Sequence, residues 1–298
     1  MNPTLRQLEY VVALARTLNF RQAAEACHVT QPSLSAQVQQ LETLLGVALF
    51  ERDKRSVRVT DAGRLVVDHA QRVLSGAQDL VDAVRATSRP LEGPLRMGVI
   101  PTIAPYLLPR AVPPVRAAFP DLELYLREDE TAVLVEQVGA GELDLALLAV
   151  EADLGDLHVL RLFDEPFLVA APAGHPFAAR ESVAETELLG EHLLLLEEGH
   201  CLRSQALSIC ERAGVPDVSA FAATSLSTLL EMVASGLGVT LVPEMAVRED
   251  GPGRGLAERI VLRPFDEPAP VRTLGLAWRP SSLRAAEFEQ LAGVLATA

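Results

Sequence analysis

Three cysteines occur in 298 residues, and two of them stand nine positions apart, Cys201 in Gly199-His200-Cys201-Leu202-Arg203-Ser204 and Cys210 after Ser208-Ile209. A helix beginning near Leu202 puts the Cys201 sulfur at a helix N-terminus beside His200 and Arg203. Cations and the positive end of a helix favour the thiolate. Thiolate sulfur attacks peroxide oxygen to give a sulfenic acid, which a second thiol converts to a disulfide. If the intervening segment is helical, nine residues rise about 13 Å and turn through roughly 900°, which leaves the two side chains on opposite faces. A disulfide needs Cα atoms within about 7 Å of each other. The pair therefore reads as a switch whose helix must open, more than as a staple. Without such surroundings a cysteine is a small buried hydrophobe, and that is the reading for Cys27, in the sequence Ala26-Cys27-His28-Val29. No close-spaced ligand set accompanies His200, Cys201 and Cys210, so neither a metal nor another cofactor is expected.

Three cysteines are too few and too odd in number for a secreted disulfide framework. The opening Met1-Asn2-Pro3-Thr4-Leu5-Arg6 lacks a basic-then-apolar signal pattern, and no run of about 18 uncharged apolar residues is present. A reducing cytoplasm and no membrane partner are expected. The net charge of −14 opposes nonspecific nucleic-acid binding by the chain as a whole. Residues 1–60 differ: they carry seven Lys/Arg against five Asp/Glu. Any DNA contact belongs to this segment, with the acidic remainder held away from phosphates.

The elements that surround the cysteines follow from periodicity and punctuation. Leu5, Leu8, Val11, Val12 and Ala15 form one helical face, and a second short helix covers Phe20–Ala26. Thr30 offers an N-cap to a third helix from Gln31 to Leu45, with Pro32 tolerated in its first turn and Leu34, Val38, Leu41 and Leu45 apolar. This is helix-turn-helix spacing. Leu49–Arg52 and Val57–Val59 suggest a two-stranded wing with the basic tip Asp53-Lys54-Arg55-Ser56. Thr60-Asp61-Ala62-Gly63 starts a long helix in which Val66, Ala70, Val73, Ala77, Leu80 and Val84 make a heptad seam, a dimerisation surface. Arg89-Pro90-Leu91-Glu92-Gly93-Pro94 breaks it. Beyond it, strand and helix signals alternate from Leu95–Ile100 to a final helix near Leu283–Ala296, as α/β sheets with helical crossovers require. The segment Arg248–Arg259, with three glycines, reads as a mobile loop of no assignable role.

The strings Leu8-Glu9-Tyr10, Val29-Thr30-Gln31-Pro32-Ser33-Leu34-Ser35, Gln40-Leu41-Glu42, Leu49-Phe50-Glu51-Arg52 and Thr60-Asp61-Ala62-Gly63 resemble the LysR-type transcriptional regulators. The Gly-His-Cys-Leu-Arg string with its downstream Cys210, together with Ile100-Pro101-Thr102, Phe163-Asp164-Glu165-Pro166 and Ala223-Thr224-Ser225-Leu226, resembles the peroxide-sensing OxyR branch. The resemblance implies a winged helix-turn-helix over 1–60, a linker and dimerisation helix over 61–89, and a two-lobed, periplasmic-binding-protein-like regulatory domain over 90–298. Lobe I would comprise about 92–164 and 270–298, lobe II about 165–269, with crossovers near Phe163–Phe167 and Glu267–Val271. It further implies DNA contact by Gln31, Pro32, Ser33 and Ser35, with Arg52 and Arg55 near the backbone of a pseudo-palindromic operator. Cys201 would be the thiol that attacks hydrogen peroxide and Cys210 the resolving thiol. Thr102, Thr131 and Arg272 would line the peroxide pocket, with His200 as a local candidate beside them. A homotetramer built from dimers, and contact with RNA polymerase, are likewise expected by resemblance. One departure is Ser204, where such proteins often carry an acidic residue. Two other readings stay open on the residues alone: a regulator of this type that binds a small anion near Thr102, Ser225 and Thr131, and a thiol peroxidase. The DNA-reading head argues against an enzyme.

Overall fold

The computed structural model describes residues 2–52, 56–86, 90–214, 222–247 and 258–297. Arg55, the rest of the wing tip at 53–54 and most of the glycine-containing loop, 248–257, lie outside them. The chain divides into two compact units, Met1–Ser88 and one containing Arg89–Val138 with Leu143–Ala298.

The first unit opens with α1 (Leu5–Thr17), α2 (Phe20–Ala26) and α3 (Gln31–Leu45). Thr4 and Gln7 form a reciprocal capping box at the start of α1, and Asn19 caps α2 by accepting from the N–H groups of Arg21 and Gln22. Thr30 occupies the N-cap of α3 but makes no capping bond with its side chain. Leu8, Val11, Leu14, Leu34, Val38 and Leu41 meet in one core, whereas Leu45 at the end of α3 is exposed. The wing is β1 (Phe50–Arg52) paired antiparallel with β2 (Val57–Val59). Glu42 fixes it, accepting from the N–H groups of Leu49 (2.9 Å) and Phe50 (3.2 Å). Thr60 accepts from Gly63 N–H at 2.9 Å and donates to the Ala48 carbonyl at 2.8 Å. A Cβ on Gly63 would overlap the Leu49 carbonyl, so the Thr-Asp-Ala-Gly string joins wing to helix by close backbone approach.

The helix that follows, α4 (Asp61–Ala86), runs for 26 residues. Its expected seam divides. Val66 and Ala70 pack into the core of their own unit, while Val73, Leu80 and Val84 are exposed, together with Leu65 and Val81. No helix among the described residues is long and apolar enough to cross a membrane.

The second unit begins with β3 (Gly93–Val99), α5 (Ala104–Ala118), β4 (Leu122–Glu128), α6 (Thr131–Ala140) and β5 (Leu145–Ala149). Prolines 109, 113 and 114 do not break α5, because Tyr106, Leu107, Ala111 and Val115 hold its inner face in the core. Strand β5, Leu-Ala-Leu-Leu-Ala, is buried along its whole length, as a central strand covered on both faces must be. Next come β6 (His158–Pro172), β7 (Leu195–Leu196), α7 (Cys201–Arg212), β8 (Ala222–Ala223), α8 (Leu226–Ala234), β9 (Thr240–Pro243), β10 (Ile260–Pro264), β11 (Val271–Trp278) and α9 (Ala285–Leu295). Lobe I carries the order β4-β3-β5-β11-β6, with β3, β4 and β5 parallel and β11 antiparallel to both its neighbours.

Strand β6 belongs to both lobes. Residues 158–166 pair with β11, and residues 167–172 pair with β9 and β10 in lobe II. The crossover expected at Phe163–Phe167 is thus a continuous stretch of strand.

Candidate functional site

The reactive sulfur is placed by a turn that only glycine makes easily. Gly199 has φ +100°, and a Cβ on it would overlap the Glu130 carboxylate. This turn delivers His200 to the N-cap and Cys201 to the first residue of α7, one position earlier than the sequence suggests. His200 makes no capping bond with its side chain. The Leu202 N–H, freed by the helix start, points at the Cys201 sulfur, and Thr131, at the start of α6, sets its hydroxyl beside it. Thr131 is buried, and its Oγ1 has no hydrogen-bond partner of ordinary geometry.

Arg272 supplies the cation. It is fully buried and faces Glu165 directly across the β6–β11 pair. Its Nε donates to Glu165 Oε2 at 2.7 Å, Nη1 to Thr102 Oγ1 at 3.0 Å and Nη2 to the Thr102 carbonyl at 3.1 Å. Glu165 Oε1 accepts from the Met245 N–H at 2.8 Å. Every polar atom of this cluster is therefore held before any ligand arrives. The structure brings Thr102, Thr131, His200, Cys201 and Arg272 to one place. Ile100, Thr102, Glu130, Thr131, Gly199, His200 and Cys201 enclose a crevice too narrow for a water-sized sphere. Next to it a cleft of about 560 Å³ is lined by Thr131, Glu151, Phe167, Cys201, Ser204, Gln205, Arg212 and Val271.

Two expectations need correction. Arg203 does not attend the thiol; its Nη1 donates to the Leu196 carbonyl at 2.9 Å. Nor do all the surroundings of the sulfur favour thiolate. Burial pushes the Cys201 thiol above its ordinary range, and Arg272, the Thr131 hydroxyl and the Leu202 N–H only partly oppose this, with Glu151 adding to the rise. For a thiol below its pKa the thiolate fraction grows about tenfold per pH unit. The rate constant for oxidation of Cys201 should accordingly climb about tenfold per unit between pH 6 and pH 8. Stopped-flow measurement of a flat profile would show that the sulfur is ionised at rest.

Cys210 sits about two and a half turns along α7, out of the crevice and fully buried. Burial, with Glu185 and Glu211 nearby, pushes its thiol up to about 11. Both cysteines are free, as is half-buried Cys27, which ends α2 against the helix-turn-helix core. Gln31, Pro32 and Ser33 are exposed on the first turn of α3, Ser35 is half-buried, and Arg52 ends β1. Sequence reasoning missed Glu165 as the partner of Arg272. No local signal singled it out, since Asp164 stands directly beside it; only the pairing of β6 with β11 buries Glu165, and a buried charge requires a counter-ion.

Fold and site together define a protein that carries a winged helix-turn-helix and a two-lobed sensor with an oxidisable thiol at a helix start. Residues 5–64 match the bacterial regulatory helix-turn-helix protein family, lysR type, and residues 88–298 match the LysR substrate binding domain. The DNA-binding transcriptional dual regulator OxyR of Escherichia coli K12 is 46% identical over 288 residues, 97% of this chain and 93% of that protein. A cysteine-to-aspartate variant of full-length OxyR from Pseudomonas aeruginosa superposes with a TM-score of 0.81 at 41% identity, covering 99% of this chain and 95% of that one. A hydrogen-peroxide-bound cysteine-to-serine variant of OxyR from Corynebacterium glutamicum gives 0.67 at 36% identity, covering 100% and 92%. The chain belongs to the LysR family of bacterial transcriptional regulators, in its OxyR branch.

Proposed function

We propose that this chain is a DNA-binding transcriptional regulator that senses hydrogen peroxide through Cys201 and Cys210. The observation that carries the reading is the thiol at the first residue of α7, faced by Thr131, the Leu202 N–H and Arg272, with a second thiol on the same helix. The Cys201 thiolate attacks one peroxide oxygen; an S–O bond forms, the O–O bond breaks, and hydroxide leaves. Arg272 and the hydroxyls of Thr102 and Thr131 stabilise the charge developing on that oxygen, which leaves as water once protonated. His200 lines the same crevice, which must widen to admit peroxide, and helps to seat it. The Cys210 sulfur then attacks the sulfenic sulfur, an S–S bond forms, and a second water departs with the Cys210 proton. In sum, two thiols and one peroxide give one disulfide and two waters.

The second step cannot occur in place. Nine helical residues separate the sulfurs by about 13 Å, and Cys210 is buried as a thiol. Opening of α7 both closes the distance and releases Cys210 toward an ordinary thiol range, so chemistry and conformational change are one event. Gln31, Pro32, Ser33 and Ser35 read base edges, and Arg52 and Arg55 hold phosphates. Exposed Val73, Leu80 and Val84 of α4 support a dimer, and dimers assemble as a tetramer on double-stranded operator DNA in the cytoplasm, within reach of RNA polymerase. The test is a mass map of thiols before and after one equivalent of hydrogen peroxide. A Cys201–Cys210 crosslink is expected, and Cys210→Ser should instead accumulate a trappable Cys201 sulfenic acid. The neighbouring cleft, far larger than peroxide, favours one alternative, a regulator responding to a small metabolite between the lobes. Saturable calorimetric binding of a small anion with both thiols inert to peroxide would decide for it.

A further inference from the structure

Helix α7 must open for the two cysteines to meet, so whatever holds it to lobe I in the reduced state opposes that step. Three of its side-chain hydrogen bonds reach other elements of the described residues. Arg203 bonds the Leu196 carbonyl and Arg212 bonds Glu185, both within lobe II. Gln205, one turn beyond Cys201, is different. Its Nε2 donates to Glu151 Oε2 of lobe I at 3.1 Å. Apart from the approach of Thr131 to Cys201, this is the one polar side-chain tie from α7 to lobe I among the described residues.

Its lobe I end is rigid. Glu151 follows β5 where the backbone pairing with β11 runs out: Val150 N–H reaches the Thr273 carbonyl, and the next donor, Thr273 N–H, is taken by Glu151 Oε1 at 2.6 Å. Thr273 adjoins Arg272, so the tie ends on the strand that carries the cation. At its other end the amide is poorly satisfied, because Gln205 Oε1 is buried without a partner. The tie thus rests on a single charge-assisted bond that disappears when α7 unwinds.

We propose that the Gln205–Glu151 hydrogen bond is a latch that holds α7 in the reduced form and sets the rate of disulfide closure after Cys201 has been oxidised. Gln205 and Glu151 are positioning residues in this step and touch neither peroxide nor the leaving oxygen. The proposal rests on the two-cysteine reading above. It separates two steps that a single mutation near the thiol would mix. Glu151 also raises the Cys201 thiol, so removing its charge alters the first step too, whereas removing the Gln205 amide leaves that charge in place.

Rapid-mixing kinetics of the full-length reduced protein resolve the steps. Oxidation of Cys201 is a phase proportional to peroxide concentration, and closure is a phase independent of it, with the Cys201–Cys210 crosslink confirmed by mass. In Gln205→Ala the first phase should stay within about twofold of wild type, and closure should quicken about tenfold. The disulfide should become about tenfold more stable against a thiol redox buffer, which is about 30 mV. Gln205→Leu, which fills the space, should behave alike if the alanine variant fails to fold. The exchange Glu151→Gln with Gln205→Glu restores donor and acceptor in reverse and should return closure toward the wild-type rate, a rescue that mere loosening of the helix does not give. Closure unchanged or slowed in both Gln205 variants, or an exchanged pair as fast as Gln205→Ala, overturns the latch. A wild type with no peroxide-independent phase and no crosslink overturns instead the reading on which it rests.

Discussion

Cys201→Ser should abolish the whole peroxide response. With one equivalent of hydrogen peroxide the wild type should lose two titratable thiols, and the variant none. Its DNA binding and transcription should be the same with and without oxidant. The reason is that Cys210 cannot substitute for Cys201. Its thiol is fully buried and pushed up to about 11, so at pH 7 only about one molecule in ten thousand holds it as thiolate. Among the described residues no cation or unpartnered hydroxyl attends it, whereas Arg272 and Thr131 attend Cys201. An oxidant-dependent shift in operator binding that survives in Cys201→Ser would refute the proposed mechanism outright.

Arg272→Leu should have the largest effect on both stability and rate. It removes three hydrogen bonds and leaves Glu165 buried with only the Met245 N–H to hold its charge. Breaking a buried pair in this way costs about 3–5 kcal/mol, which for a unit of about two hundred residues lowers Tm by about 10 °C. Oxidation of Cys201 should slow by about 10²–10³, the effect of losing one stabiliser of a developing oxyanion. The double variant Arg272→Leu with Glu165→Leu separates the two roles. Deleting both charges should restore much of the melting temperature, because no lone charge remains in the core, but it should restore none of the rate. Wild-type oxidation kinetics in either variant would remove Arg272 from the chemistry and leave it a purely structural ion.

The helix-turn-helix was legible because each of its signals is local. The apolar faces repeat within one helix, Thr60 caps α4, and Gly63 meets Leu49 a short way back along the chain; Thr30, read as a cap, makes no capping bond with its side chain, and the roles of Asn19 and Glu42 were not read at all. The alternating elements of the second unit were legible for the same reason. Cys201 was legible from His200, Arg203 and a helix start; Arg203 turns instead to the Leu196 carbonyl, whereas the helix start is there, at Cys201 itself. Its resting ionisation was not legible. The Coulombic help expected from Arg203 comes instead from Arg272, 71 positions away in the chain, and burial outweighs both. Glu165 and Glu151 were hidden because their partners, Arg272, Met245, Thr273 and Gln205, are brought to them only by tertiary pairing. The continuity of β6 was masked by Asp164-Glu165-Pro166, which reads as a turn. There Pro166 is paired with Val271 at the very end of the β11 register, where a missing donor costs little.

Strand β6 serves as a common spine, one ribbon whose two ends belong to different sheets. A cut between Glu165 and Phe167 would part residues 158–165 from β11, their partner strand in lobe I, which lies beyond lobe II in the chain, so lobe I could not be expressed as one continuous segment. For signalling the implication is mechanical. A refolding of α7 that shifts lobe II has a covalent, hydrogen-bonded route into lobe I along this one strand.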